Sequence, residues 1–169
     1  MTDQSRKELE AYPEPVRWNY QQADGYLDLG MADEAHHVLD KIPEKFLGGI
    51  VYDEFLLRLA FVEEDWSAAA RACERLLALV PENATFWIQY AYASRRSTGL
   101  EKAERILFEA QRRFPDESII PYNLACYAVV RGDLKRALTG LKAIIHQPGI
   151  LQMALEDDDL EPLWSELGE

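Results

Sequence analysis

The side chains that most often carry chemistry are few in this sequence, and their spacing suits none of the common reactions. Cys73 and Cys126 stand 53 positions apart, with no second pair to complete a zinc site and no Cys-x-x-Cys spacing for redox exchange. A reactive thiol would need a neighbouring cation or a helix N-terminus to lower its pKa, so both cysteines read as reduced packing residues. His36 and His37 are adjacent, which on a helix turns them about 100° apart, whereas two imidazoles converge on one metal at a four-residue spacing. They and His146 read as solvated helix residues. Gly48-Gly49 lacks the third glycine and the Lys-Ser/Thr ending of a phosphate loop, and no Gly-x-Ser-x-Gly elbow occurs. The run Asp157-Asp158-Asp159 could draw calcium, but it has neither the alternating ligands nor the glycine of a calcium loop. Acids are so common here that a pair of them carries no weight as a general acid and base. The expectation is no enzyme, no metal and no cofactor.

Charge narrows the partners. Lys and Arg number 18 against 30 Asp and Glu, a formal net charge of -12, which opposes contact with a phosphate backbone and excludes nucleic acid. With 48% hydrophobic residues, the 169-residue chain can bury a core as one domain. The opening residues, Met1 to Glu8, lack the apolar run of a signal peptide, and no stretch approaches the roughly 18 apolar residues of a membrane span. A soluble, cytoplasmic protein with no membrane partner is expected.

The elements that position these residues announce themselves as a repeat. Ala35, Ala69, Ala103 and Ala137 follow one another at intervals of 34 residues. Four residues after each come Leu39, Cys73, Leu107 and Leu141, and seven after each come Ile42, Leu76, Ala110 and Ile144. Offsets of 0, 4 and 7 share one face of a helix, so each repeat holds a helix with a small residue where it meets a neighbour closely. Twelve residues before each alanine stand Ala23, Leu57, Ala91 and Ala125, followed three later by Tyr26, Ala60, Ser94 and Ala128, which mark a second helix. Turn-forming residues separate the two: Gly30 before Asp33, Glu63-Glu64-Asp65, Thr98-Gly99 and Gly132-Asp133. Pro81-Glu82-Asn83 and Pro115-Asp116-Glu117 end successive units.

Position by position, this pattern resembles the tetratricopeptide repeat family. Trp87 takes the aromatic position, Leu56, Tyr90 and Leu124 the large one, Gly30 and Gly132 the turn, the four alanines the close contact, and Pro81 and Pro115 the end. The resemblance covers residues 16 to 149 and implies an all-α fold, a right-handed α-α superhelix of four helix-turn-helix repeats. The units are 16–49, which is degenerate, 50–83, 84–117 and 118–149. They follow a tail or short helix at 1–15 and precede capping helices at 150–169, all in one domain. Departures are visible. Pro43 arrives early, so the helix before it should end near Ile42 and leave Glu44 to Gly49 as a looser connector, with Leu47 where a proline is expected. Gly99 falls one position late, and Pro121 fits the first turn of its helix because its missing N–H had no helical partner.

A stack of hairpins exposes an apolar end, and the tail is suited to cover it. Ile150, Leu151, Met153, Ala154 and Leu155 form one short apolar face, and Leu160, Pro162, Leu163, Trp164 and Leu167 form another. Two short helices are predicted, with Asp159 as N-cap of the second and Trp164 packed on the last hairpin.

The resemblance places ligands in the concave groove, lined by the first helix of each unit. The candidate partner-binding residues it marks are Tyr20 in the first unit and Arg58 and Phe61 in the second. Ile88, Tyr92, Arg95 and Arg96 follow in the third, and Ile119, Tyr122 and Val129 in the fourth. Across all groove positions the charged residues are Asp24, Asp28 and Glu54 against Arg17, Arg58, Arg95 and Arg96, a net of +1 in a strongly acidic chain. Arginine among aromatics can anchor a peptide through bidentate carboxylate bonds and ring contact. The same residues also serve as packing between repeats and as solvated charges at a helix C-terminus. The Lys/Asn/Asn/Lys/Arg clamp for chaperone tails is not reproduced in either register. One gives Tyr20, Asp24, Phe55, Thr85 and Gln89; the other gives Glu54, Arg58, Gln89, Ile119 and Asn123. Ile119, Tyr122, Cys126, Val129 and Val130 form an apolar strip that something should cover: a partner segment, the chain's own C-terminal helix, or a second copy. The expected function is a non-catalytic adaptor that holds a peptide or helical segment of another protein. The alternatives are a chaperone for a secreted or assembling client, and a homodimeric scaffold.

Overall fold

A computed structural model of the chain describes residues 1–167. Every regular element among them is helical, and no strand occurs. None of these helices is long and apolar enough to cross a membrane. The chain packs as two compact units, Met1–Thr98 and Gly99–Glu169.

The first unit contains α1 (Asp3–Glu10), α2 (Glu14–Asp28), α3 (Ala32–Leu39), α4 (Gly49–Val62), α5 (Trp66–Leu79) and α6 (Ala84–Ser97). Helix α2 packs on α3, α4 on α5, and α5 on α6, while α1 lies against α4. Ala35 and Ala69 have no exposed surface, as their place at the helix crossings requires, and Ala23 and Leu57 are buried opposite them. The buried side chains of this unit include two clusters. One joins Leu9, Val16, Tyr20, Val38, Val51 and Phe55. The other joins Leu57, Ala69, Cys73, Leu76 and Phe86.

The hairpin turns show how local chemistry sets the geometry. After α2, the Gly30 N–H donates to the Leu27 carbonyl and the Met31 N–H to that of Tyr26, at 3.1 and 2.9 Å. That is a Schellman closure, and it needs the left-handed backbone that Gly30 supplies at φ 72°. Between α4 and α5 the same place is held by Glu64, at φ 56°, where a Cβ is sterically costly. Asp65 then opens α5 by accepting the Ala68 N–H at 2.9 Å. Glu64→Gly is therefore expected to stabilise the protein by roughly 0.5–1 kcal/mol. A urea denaturation midpoint that stays put or falls would show that the Glu64 side chain contributes more than its backbone costs.

The second unit holds α7 (Leu100–Arg113), α8 (Ile119–Val130), α9 (Leu134–Ile144), α10 (Ile150–Glu156) and α11 (Trp164–Leu167). Helix α8 packs against both α7 and α9. Ala103 and Ala137 are fully buried, and Gly132 closes α8 as Gly30 closes α2. Glu104 is buried as well, held by Arg131 at 2.6 Å and approached by Arg136 at 3.9 Å.

Two local expectations shift. Helix α3 stops at Leu39, before Ile42, because the Ile42 N–H turns back to the Leu39 carbonyl ahead of Pro43; a 3₁₀ turn at Glu44–Phe46 follows. In the tail, the capping carboxylate is Asp157, not Asp159: it accepts the Asp159 N–H at 3.0 Å and opens a 3₁₀ segment, Asp158–Leu163. Trp164 donates its indole N–H to the Ala154 carbonyl of α10, so the tail folds on itself. Residues 168–169 of the expected cap lie outside the described part.

Candidate functional site

The opening residues form a helix that α4 holds by an exchange of caps. Glu54, buried on α4, accepts the Thr2 N–H at 3.1 Å and the Ser5 hydroxyl at 2.7 Å. In return Glu8 of α1 accepts the Ile50 N–H at 2.9 Å and the Val51 N–H at 3.3 Å, which are unpaired donors of the first turn of α4. Each carboxylate thus sits at the positive end of the other helix. Gly49 makes the approach possible, since a Cβ there would stand 2.1 Å from the Glu8 Oε1. Sequence patterning could not show this exchange, because α1 lies outside the 34-residue period.

This docking changes what the first two helix pairs offer. Tyr20 is 2% exposed, packed between Tyr12 and Phe55, and its hydroxyl donates to the Phe46 carbonyl at 2.8 Å. The structure places this ring in the core, with no surface left for a ligand. Burial, reinforced by the charges of Tyr12, Tyr52 and Glu8, raises its pKa, so the hydroxyl stays a donor. Arg58 is bound by two carboxylates of α2, Asp24 and Asp28, the latter at 2.6 Å, and its half-burial lowers its pKa. Arg58 and these two acids are therefore ion-paired with one another.

The groove residues that come together at an open surface are Phe61, Tyr92 and Arg96. The rings of Phe61 and Tyr92 stack at 5.7 Å and 19°, and the Arg96 guanidinium carbon lies 3.5 Å from the Tyr92 centroid. Sequence reasoning missed the fourth member, Trp66. Standing just past the turn from Phe61, it sets its ring edge-on to both others, at 5.5 Å from each, and 5.1 Å from Arg96. Its signal was an aromatic at the first position of α5, where a side chain leans back over the preceding turn. Tyr92 and Val62 keep 36% of their surface exposed. Ile88 and Arg95 are half-buried on the same helix.

In the second unit the apolar strip on α8 is covered from within. Tyr122 is buried, and its hydroxyl donates to Asp157 Oδ2 at 2.8 Å, with the Met153 carbonyl at 3.3 Å. The Cys126 thiol points to the same carboxylate oxygen at 3.6 Å. Burial first, and then the bond to Asp157, raises the Tyr122 pKa. Ile119 and Val129 remain half-buried, and Val130 is exposed.

Of the remaining chemistry-bearing side chains, Cys73 and His36 are engaged in structure, while His37 and His146 are exposed. Burial, with the Glu74 charge beside it, pushes the Cys73 thiol up to about 12, which keeps it protonated and unreactive. His36 pairs with Glu63 at 2.9 Å. Among the described residues no group of three His, Cys, Asp or Glu side chains is placed to hold a metal ion. Comparison with known proteins found no family model and no curated protein that matches the chain.

Proposed function

We propose that the chain is a non-catalytic protein-interaction module that holds a segment of a partner protein, and that its helix pairs are tetratricopeptide-type repeats of a right-handed superhelix. The repeat reading is supported by the buried alanines at 34-residue intervals and by the matching closures at Gly30 and Gly132. The observation that carries the binding reading is the stack of half-buried Phe61 with exposed Tyr92 and Arg96, braced by Trp66. Aromatic rings and arginine on one rigid helical face are the composition of interaction hot spots, where a few large side chains supply most of the affinity.

The test is capture of partners from native lysate by wild type and by Tyr92→Ala combined with Arg96→Glu, both checked for unchanged helicity. A protein held by wild type and lost at least tenfold in the variant supports the reading, as expected for removal of a hot spot of about 2 kcal/mol. Identical capture by both sinks it. A dimer-sized mass in solution that the same variant abolishes would move the function to a homodimeric scaffold. Loss of a client protein in cells lacking the chain would move it to the chaperone class.

A further inference from the structure

We infer that Arg96, mounted on Tyr92 and Trp66, is a receptor for a single carboxylate side chain within an otherwise apolar extended segment of a partner protein. The inference rests on the binding-face reading above and adds to it the chemistry of the ligand. A guanidinium uses its faces and its edge differently: the faces stack, and the in-plane N–H groups donate hydrogen bonds, two of them matching the two oxygens of a carboxylate. Here one face lies on Tyr92 at 3.5 Å and the group also contacts Trp66 at 5.1 Å. No acceptor among the described residues binds its edge. The contrast with the ion-paired arginines is informative in so acidic a chain. Arg58 is bound by Asp24 and Asp28, Arg75 by Asp53 and Arg131 by Glu104.

The acids closest in sequence to Trp66 are turned to other work. Glu63 pairs with His36, Asp65 caps α5 through the Ala68 N–H, and the Glu64 backbone forms the turn. The rings also hold the guanidinium in place before any ligand arrives, which lowers the entropy lost on binding. What results is a cation held by rings on an exposed residue.

Charge and shape choose the occupant. One guanidinium offers one positive charge beside an acidic turn, which matches a monoanion better than a phosphate dianion. The chain's net charge of -12 disfavours a segment carrying many acids, so one carboxylate flanked by apolar residues is the best complement. Val62 and Tyr92, each 36% exposed, supply apolar surface for residues that flank such a carboxylate.

The experiment uses the full chain and follows the Arg96 Nε–H and Trp66 indole N–H by NMR. The probe is an acetylated, amidated pentapeptide with a central glutamate between alanine and leucine residues. Its controls are the same peptide with central glutamine, that glutamine peptide with a free C-terminal carboxylate, and inorganic phosphate. The glutamate peptide is expected to shift both signals and to bind about tenfold or more tightly than its glutamine counterpart, with Arg96→Gln removing the difference. Equal binding of glutamate and glutamine peptides that Tyr92→Ala abolishes would overturn the carboxylate receptor and leave the binding face standing. No binding of any peptide at millimolar concentration, together with partner capture indifferent to Tyr92→Ala, would overturn both. Stronger binding of the free C-terminus or of phosphate would replace the proposed ligand. Signals that move with protein concentration alone would assign the site to a second copy.

Discussion

Tyr20→Ala is expected to cost the first unit about 3–5 kcal/mol, while Tyr20→Phe costs about 1 kcal/mol. The large figure follows from what the ring touches. It is 2% exposed and meets Tyr12 from the end of α1 and Phe55 from α4, with centroids 6.0 and 6.1 Å away. Tyr12 in turn packs on Phe46 at 5.2 Å, and the Tyr20 hydroxyl is bound to the carbonyl of that same residue. Alanine would leave a cavity where α1, α2, α4 and the 3₁₀ turn converge, and such a site cannot collapse without moving several elements. Phenylalanine keeps the ring and leaves one carbonyl short of a donor. Because the chain forms two units, global denaturation alone would blur the result. Hydrogen exchange at α2 and α4 amides should be followed beside urea unfolding, and protection there should fall in Tyr20→Ala before it changes in α8. A loss below about 1 kcal/mol for the alanine variant would return Tyr20 to the surface, and with it the idea that it meets a ligand.

The fate of Tyr20 shows what periodicity can reveal. The 34-residue interval identified Ala35, Ala69, Ala103 and Ala137 as close-contact residues, and all four have no exposed surface. The turn residues were legible for the same reason: Gly30 and Gly132 stand where a Schellman closure demands a left-handed residue, and Asp65 and Asp133 where a helix needs a cap. Periodicity assigns a side chain to a face of its helix, but it does not say what covers that face. Tyr20 and Glu54 are covered by α1 and by the Glu44–Phe46 turn, and Tyr122 by the tail, all segments outside the regular pattern.

Charge was misread for a related reason. The groove positions carry a net of +1 as a list, yet Arg58 is tied to Asp24 and Asp28 from the preceding helix pair. A sum over positions treats all those cations as available, whereas pairing in space withdraws Arg58 and leaves Arg96 with donors that no described residue takes. Its partner ring Tyr92 was legible as an exposed aromatic of the groove. Trp66, on the second helix of its pair, was not, because the expected groove was drawn from first helices alone.

The same logic of covering segments governs the second unit, where Asp157→Ala is expected to cost about 2–3 kcal/mol and to uncover α8. Asp157 is the point at which the tail is fastened. Its Oδ2 receives the Tyr122 hydroxyl at 2.8 Å and the Cys126 thiol at 3.6 Å, while Oδ1 receives the Asp159 N–H at 3.0 Å. Hydrogen bonds to an ionised group are stronger than neutral ones, and removing the acceptor strands a buried Tyr122 hydroxyl with only the longer contact to Met153. Asp157→Asn keeps an acceptor of the same shape without the charge, so it should lose less. The readouts are exchange protection in α8 and residues 150–163, and binding of an apolar dye, both of which should change in Asp157→Ala while α4 and α5 keep their protection. Added calcium should not stabilise the wild type, since both Asp157 oxygens already accept hydrogen bonds from Tyr122, Cys126 and the Asp159 N–H. Unchanged protection at α8 in Asp157→Ala would mean that Leu160 and Leu163, both buried, hold the tail by apolar contact alone. Calcium-dependent stabilisation would instead make the aspartate run a cation site. With Asp157 as the fastening, Tyr122 and Cys126 on the apolar strip of α8 are covered by the chain itself while Ile119 and Val129 stay half-buried, so the function proposed above rests on the Phe61–Tyr92–Arg96 face of the first unit.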